Sequence, residues 1–263
     1  MKISVLMENT SSRPDIAFEH GLSLFIETPR HRLLFDTGAS GAFAANAEKL
    51  GIDLSTVDLA VLSHGHDDHG GGLRTFLSLN HSAPVYVNRN AFGLYYNEAL
   101  RYIGLDPELK SNPQLIQVGD NVTIDEELSL CTCNHEIRYF PVDSAGLSVK
   151  SGENYKADPF VHEQYLMIRT GGQNYAVSGC SHKGILNLMK WLQPDVMIGG
   201  FHFMKLKLSG GENDTLRDAA AELLRYPAEY YTCHCTGLAQ YDYLKQRMGN
   251  RLHYLSAGQT VEL

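Results

Sequence analysis

Short apolar runs alternate with longer amphipathic ones along most of this chain. Ile3 to Met7, Leu22 to Glu27 and Arg32 to Phe35 read as strands rich in branched and aromatic residues. Ala42 to Leu50 has helical periodicity and stops near Gly51. Leu59 to Leu62 is continuously apolar, the pattern of a strand buried on both faces. Gly72 to Leu79 reads as a helix and Pro84 to Val87 as a strand. Residues 92–112, with Pro107 inside and Pro113 just beyond, predict an irregular helical excursion, and residues 144–160 an exposed loop. Tyr165 to Arg169 and Asn174 to Val177 predict a hairpin around Gly171-Gly172. Ile185 to Leu192, Asp214 to Leu224 and Leu238 to Met248 predict helices, alternating with strands at Val196 to Ile198, Glu229 to Thr232 and Leu252 to Leu255. Strands alternating with helices in both halves predict an α/β fold of mixed sheets covered by helices. Two such sheets packed together would make an αββα sandwich, which periodicity alone does not select.

Composition narrows the function classes. No run approaches the roughly 20 apolar residues that cross a bilayer, so no membrane role is expected. The first strand is interrupted by Glu8 and Asn9 before it could serve as a signal peptide, which makes the cytoplasm the expected location. The formal net charge of −8 disfavours a nucleic-acid partner, although bound metal ions can supply positive charge locally. Five cysteines, Cys131, Cys133, Cys180, Cys233 and Cys235, suggest free thiols rather than a disulfide framework. Their two C-x-C pairs fit structural zinc less well than the usual C-x₂₋₄-C spacing.

The chemistry concentrates in Ser63-His64-Gly65-His66-Asp67-Asp68-His69, directly after the buried strand. Imidazole nitrogens and carboxylate oxygens suit zinc, iron and manganese. In an extended segment His64 and His66 project to one side and can share a metal. Asp68 and His69, after a turn, can serve a second metal a few ångströms away, the arrangement that activates a bridging water. Gly70-Gly71-Gly72 gives the backbone room to leave.

This pattern resembles the signature of the metallo-β-lactamase superfamily. Further matches follow in order: Glu8-Asn9, Glu19 to Ser23, Phe35-Asp36-Thr37-Gly38, Gly179 to Ile185 around His182, Gly199-Gly200-Phe201-His202 and His234-Cys235-Thr236-Gly237. They resemble a subgroup that includes an archaeal dihydropterin–ribofuranosylaminobenzene phosphate synthase. The resemblance implies one αββα domain over residues 1–263, with a metal centre at one edge of the sheets. It implies His64, His66 and His182 as ligands of one metal, and Asp68, His69 and His234 as ligands of a second. Asp36 would support the metal-binding loop from behind, with an N-cap as its ordinary alternative. Two Zn²⁺ ions are implied, with iron, manganese or magnesium as substitutes. The family's bridging aspartate has no counterpart except Cys180, which can be a thiolate ligand or a small buried cysteine beside the site. His162 is the nearest upstream candidate for an additional histidine ligand. Asp68 and His202 are the candidate catalytic residues, His202 either binding substrate or donating a proton.

The class expected is a hydrolase in which metal-activated water attacks a phosphoester or other ester of a small molecule, with a phosphorylated substrate expected. A transferase displacing pyrophosphate uses the same ligands; Phe92, Tyr95, Tyr96 and Tyr102 could then stack on a flat ring, or simply be core. A non-catalytic sensor and a di-iron redox centre are disfavoured, the first by the full ligand set and the second because no flavin domain accompanies it. No feature indicates an oligomeric state.

Overall fold

In the computed structural model, which describes residues 1–209 and 213–263, two seven-stranded sheets face each other. The first runs in the order Thr260–Glu262, Lys2–Met7, Ser23–Glu27, Arg32–Phe35, Leu59–Val61, Val85–Asn88 and Leu115–Val118. The second runs Leu252–Tyr254, Glu229–Thr232, Val196–Gly199, Gln173–Val177, Tyr165–Thr170, Leu128–Cys131 and Asn121–Thr123.

Alternation along the strands divides the apolar residues among three interfaces. Val5, Ile26, Leu33, Phe35 and Val61 of the first sheet pack on Leu130, Leu166, Ile168, Val177 and Ile198 of the second. Their chain neighbours Leu6, Phe25, Leu34 and Ala60 turn outward onto Phe43, Ala47, Leu73 and Phe76 of the helices Ala42–Lys49 and Leu73–Leu79. Ala176, Met197 and Tyr230 turn outward onto Leu188, Leu216 and Leu244 of the helices Ile185–Leu192, Asp214–Leu223 and Leu238–Met248. The result is the expected αββα sandwich. Each fully buried Leu or Phe contributes about 1.5–3 kcal/mol of transfer free energy. No helix among the described residues is long and apolar enough to cross a membrane.

The middle of the chain departs from expectation. Residues 144–160 hold a hairpin, Ser148–Ser151 with Asn154–Ala157, which joins Tyr95–Tyr96 in a third, three-stranded sheet. Asn154–Ala157 is exposed at every residue, so no apolar alternation marked it as a strand. The excursion at 92–112 contains only a 3₁₀ turn, Pro107–Ser111, besides that two-residue strand. Leu115–Val118, Asn121–Thr123, Leu128–Cys131 and Thr260–Glu262 are strands too short for periodicity to reveal.

Topology assembles the site. Arg32–Phe35 and Leu59–Val61 pair in parallel, as do Gln173–Val177, Val196–Gly199 and Glu229–Thr232. Asp36, His64, the 178–182 loop, His202 and His234 all follow the carboxyl ends of these strands, where α/β sheets commonly gather ligand-binding loops. Asp36, Ser181, His202 and His234 hold positive φ values of 59°, 56°, 57° and 51°. Non-glycine residues held in that region cluster where function demands a particular direction of approach.

Candidate metal centre

His64, His66 and His182 converge, each offering a ligand atom within 4.8 Å of the others. His64 Nε2 lies 3.3 Å from His182 Nε2. A second set adjoins the first: His69 Nε2 is 3.2 Å from His234 Nε2, and Asp68 Oδ2 is 3.3 Å from His234 Nε2 and 3.7 Å from His69 Nε2. All six residues expected from the sequence therefore meet, in the expected two groups.

Hydrogen bonding fixes which nitrogens carry protons. Ser63 Oγ donates its only proton to Asp36 Oδ2 at 2.7 Å. The 2.8 Å contact between Ser63 Oγ and His64 Nδ1 must then be donated by the histidine, which leaves His64 Nε2 a bare lone pair. His69 Nδ1 lies 2.7 Å from the same Asp36 oxygen and donates to it. His234 Nδ1 donates to Asn9 Oδ1 at 2.8 Å. The bare nitrogens of His64 and His234 thus each face another imidazole nitrogen at 3.2–3.3 Å, one in each group. A proton or a metal cation between the two nitrogens holds each pair together. Zinc held at about 2.0–2.1 Å from each nitrogen in a tetrahedron would separate its ligands by about 3.3–3.4 Å. His182 Nδ1 and His66 Nε2 are also buried without a hydrogen-bond partner, a cost that proteins accept mainly where another ligand compensates. The donor set fits metal ions.

Electrostatics agrees. Burial, with the neighbouring His162, pushes His66 down to about 3. Burial pushes His234 down to about 4 against the pull of Asp68, and drives His64 and His182 well below the ordinary histidine range. These four rings stay neutral and keep a nitrogen free for coordination. Burial opposes charge on His69 too, but Asp68 and Asp36 outweigh it and push that pKa up to about 9. Burial likewise opposes ionisation of Asp68, and the histidines around it, led by His69, hold its carboxyl well below the usual range. The second group therefore attracts positive charge.

Asp36 is fully buried and receives Ser63 N, Ser63 Oγ and His69 Nδ1. It does not cap the following helix, whose N-cap is Gly41. Cys180 is inside the cluster rather than beside it, with Sγ 3.2 Å from His69 Nε2 and within 4.8 Å of donor atoms on His64 and His234. Cys131 and Cys133 belong to none of the ligand groups formed by the described residues. His162 offers no free nitrogen: Nδ1 accepts from Gly65 N at 2.9 Å, and Nε2 donates to Asp158 Oδ2 at 3.0 Å. His202 packs 4.5 Å from the His182 ring, and burial lowers its pKa, so it meets the cleft as a neutral imidazole. Tyr95 stacks on His162 at 4.0 Å, and Tyr96 packs on Tyr102 and Tyr155. Phe92 joins the outer core of the first sheet.

Three acids support the loops in ways the sequence did not reveal. Glu8 is buried and accepts His234 N at 2.6 Å and the Tyr254 hydroxyl at 2.8 Å. Glu163 accepts His182 N at 2.7 Å and Lys183 N at 3.1 Å. Asp158 stands 4.0 Å from His66 Nε2. The polar run His162-Glu163-Gln164 just before an apolar strand was the available signal for Glu163; Glu8 looked like an ordinary strand terminator.

Gly179 presses on this support. A Cβ there would overlap Ser63 Oγ and lie 3.1 Å from His64 Nδ1. Gly179→Ala should displace Ser63, weaken metal affinity about 10- to 100-fold and destabilise the fold by about 1–3 kcal/mol. Metal titration and thermal melting check it; unchanged affinity would remove Ser63 from the support.

The sequence profile of the metallo-β-lactamase superfamily matches residues 17–142, and the solved structure of Tm1679, described as a metal-dependent hydrolase of the β-lactamase superfamily, superposes with a TM-score of 0.83 at 29% identity, covering 100% of this chain and 99% of that one. The chain has the metallo-β-lactamase fold and resembles that superfamily in sequence. An uncharacterized protein of Methanocaldococcus jannaschii is similar at 27% identity over 93% of this chain and 94% of its own length. The 7,8-dihydropterin-6-methyl-4-(β-D-ribofuranosyl)-aminobenzene-5'-phosphate synthase of the same organism is similar at 25% identity over 93% and 90%. In this metallo-β-lactamase-fold chain the profile match contains Asp36 and the His64–His69 segment, while His182, His202 and His234 lie beyond it.

Proposed function

We propose that the chain is a metal-dependent hydrolase of a small-molecule ester, with a phosphoester first among the candidates. The observation that carries this reading is the pair of adjoining metal-donor clusters opening onto one cleft. His66, Asp68, His182, His202 and His234 all line it, and its volume is about 870 Å³. That size suits a drug-sized molecule. Zinc, or another divalent ion, would be held by His64, His66 and His182 in one group and by Asp68, His69 and His234 in the other, with Cys180 in reach of both.

Metal ions in such a site supply Lewis acidity and a water acidic enough to attack at neutral pH. The chain's own residues do the rest. Asp36 and Ser63 hold His69 and His64 in the ligating tautomer. Glu163 and Glu8 hold the backbone at His182 and His234. His202 presents a neutral ring to whatever lies against the first group, a role of binding and orientation. The wall opposite is apolar, with Phe140, Val142, Ile185, Phe201 and Leu206. Two cations stand at its rim: Arg101 pairs with Asp67, and Lys205 with Glu98. An ester with an anionic end and an apolar body matches this distribution.

Zinc-loaded protein should hydrolyse members of a panel of chromogenic phosphomonoesters, phosphodiesters and carboxylic esters. A chelator should lower the rate at least about 1,000-fold, with recovery on adding zinc. Hydrolysis that persists in metal-free protein overturns the reading. The similarity to the archaeal synthase supports a second reading, transfer with loss of pyrophosphate. Against it, the aromatic residues at 95, 96 and 102 already pack on one another, on Tyr155 and on His162, which leaves them engaged rather than open to a pterin. Release of pyrophosphate from a pterin diphosphate, with no hydrolysis of simple esters, would favour the transferase.

A further inference from the structure

Asn9 touches two histidines with opposite ends of one amide. Its orientation is set by backbone groups that cannot exchange roles: Gly21 N donates to Oδ1 at 3.3 Å, and Nδ2 donates to the His234 carbonyl at 3.4 Å. With the amide fixed that way, Oδ1 accepts from His234 Nδ1 at 2.8 Å. Nδ2 can only donate to His20 Nδ1, 3.1 Å away. One side chain therefore imposes opposite tautomers on neighbouring rings, whose centroids are 4.8 Å apart. His234 is left with a bare Nε2. His20 must carry its proton on Nε2.

That Nε2–H stands at the mouth of the cleft, on a side chain 56% exposed, and its nearest carboxylate oxygen, Asp68 Oδ2, is 3.4 Å away. The contact is long for an N–H···O hydrogen bond, so the donor retains capacity for an oxygen arriving beside Asp68. We propose that His20 is the hydrogen-bond donor that holds a phosphoryl or carbonyl oxygen of the substrate next to the second metal group, and that Asn9 is the positioning residue that keeps it a donor. His20 would stabilise negative charge building on that oxygen from outside the metal's own reach. The inference rests on the hydrolase reading for its substrate.

The test uses zinc-loaded protein and inorganic phosphate as probe. Imidazole ¹⁵N spectra should show the His20 proton on Nε2. In Asn9→Asp the carboxylate faces His20 Nδ1 and should draw the proton there, while its oxygen still accepts from His234 Nδ1 and zinc content stays unchanged. His20→Ala should weaken phosphate binding about ten-fold with zinc content unchanged. His20→Gln, whose amide can donate from a similar position, should restore most of that loss. A wild-type His20 protonated at Nδ1 overturns the proposal. So does phosphate binding that ignores His20→Ala, or zinc lost with His20→Ala, which would make the residue a ligand. Should phosphate binding and spectra behave as expected while no ester is hydrolysed, the hydrolase reading alone fails.

Discussion

Asp36→Asn should cost the protein most of its metal and its activity while barely changing its shape. The carboxylate receives three hydrogen bonds in a fully buried position. Asparagine keeps one acceptor, which can still serve Ser63 N. Its NH₂ group then points at two other donors, the Ser63 hydroxyl and His69 Nδ1–H. His69 escapes the clash by moving its proton to Nε2, and that removes the lone pair aimed at His234 and Cys180. Ser63, no longer donating to Asp36, is free to donate to His64 Nδ1 and turn that ring over as well. Both metal groups would be disturbed by a change of one atom that touches neither metal. Replacing such a supporting residue weakens metal affinity or activity about 10- to 100-fold, and here two ligands depend on it, so the upper end is expected. Metal content per chain after dialysis, with kcat/KM for the best ester, measures the effect. Full metal content in Asp36→Asn would refute the tautomer argument.

The second large effect couples stability to the metal. In metal-free protein, His64 Nε2 and His182 Nε2 stand 3.3 Å apart in a buried site, joined only by a proton on His182 Nε2. A metal bound at about 1,000 times its Kd contributes about 4 kcal/mol to folding. In a chain of this size about 1 kcal/mol moves Tm by about 2–4 °C, so chelation should lower the wild-type Tm by about 10 °C. His182→Ala should abolish most of that response, because it removes a ligand. The metal-free variant should itself melt below the metal-free wild type, because a buried ring stacked on Phe160 has been truncated. Its hydrolysis should fall at least about 1,000-fold, about 4 kcal/mol of lost transition-state stabilisation. Calorimetry with and without chelator decides the matter: a variant whose melting still drops by the wild-type amount would exclude His182 from the ligand set.

The parts legible in sequence were those with a strong local signal. Strands such as Arg32–Phe35 and Glu229–Thr232, and helices such as Ile185–Leu192, agree with the structure because their burial is one-sided or complete and therefore periodic. The six ligand candidates were legible because histidine and aspartate are costly to bury, and their clustering after strands is rare by chance. The 148–157 hairpin was not, since Asn154–Ala157 is exposed at every residue and Ser148–Ser151 is at most half-buried, which leaves no apolar alternation. The supporting groups stayed hidden for another reason. Glu8 reaches His234 across 226 residues of sequence and Glu163 reaches the 182–183 backbone across 19 or 20. No spacing rule links such partners; only the folded topology does. Cys180 was ambiguous because a thiol is equally at home in a core and on a metal, and its position against His69 moves it into the donor cluster.

The span from Glu8 to His234 also sets when the site can come into being. Glu8 and Asn9 leave the ribosome before the His64–His69 segment, and their partners at 234 and 254 follow only after a further long stretch of chain. At about 5–20 residues per second, the nascent chain spends roughly ten seconds or more with one half of its ligands exposed and no counterpart. During that interval the early histidines are a loose chelating segment, open to whichever cation is at hand. Selection among metals would be made only when the later strands dock and close the cage, so the order of synthesis would let the fold, and not first contact, decide what is kept.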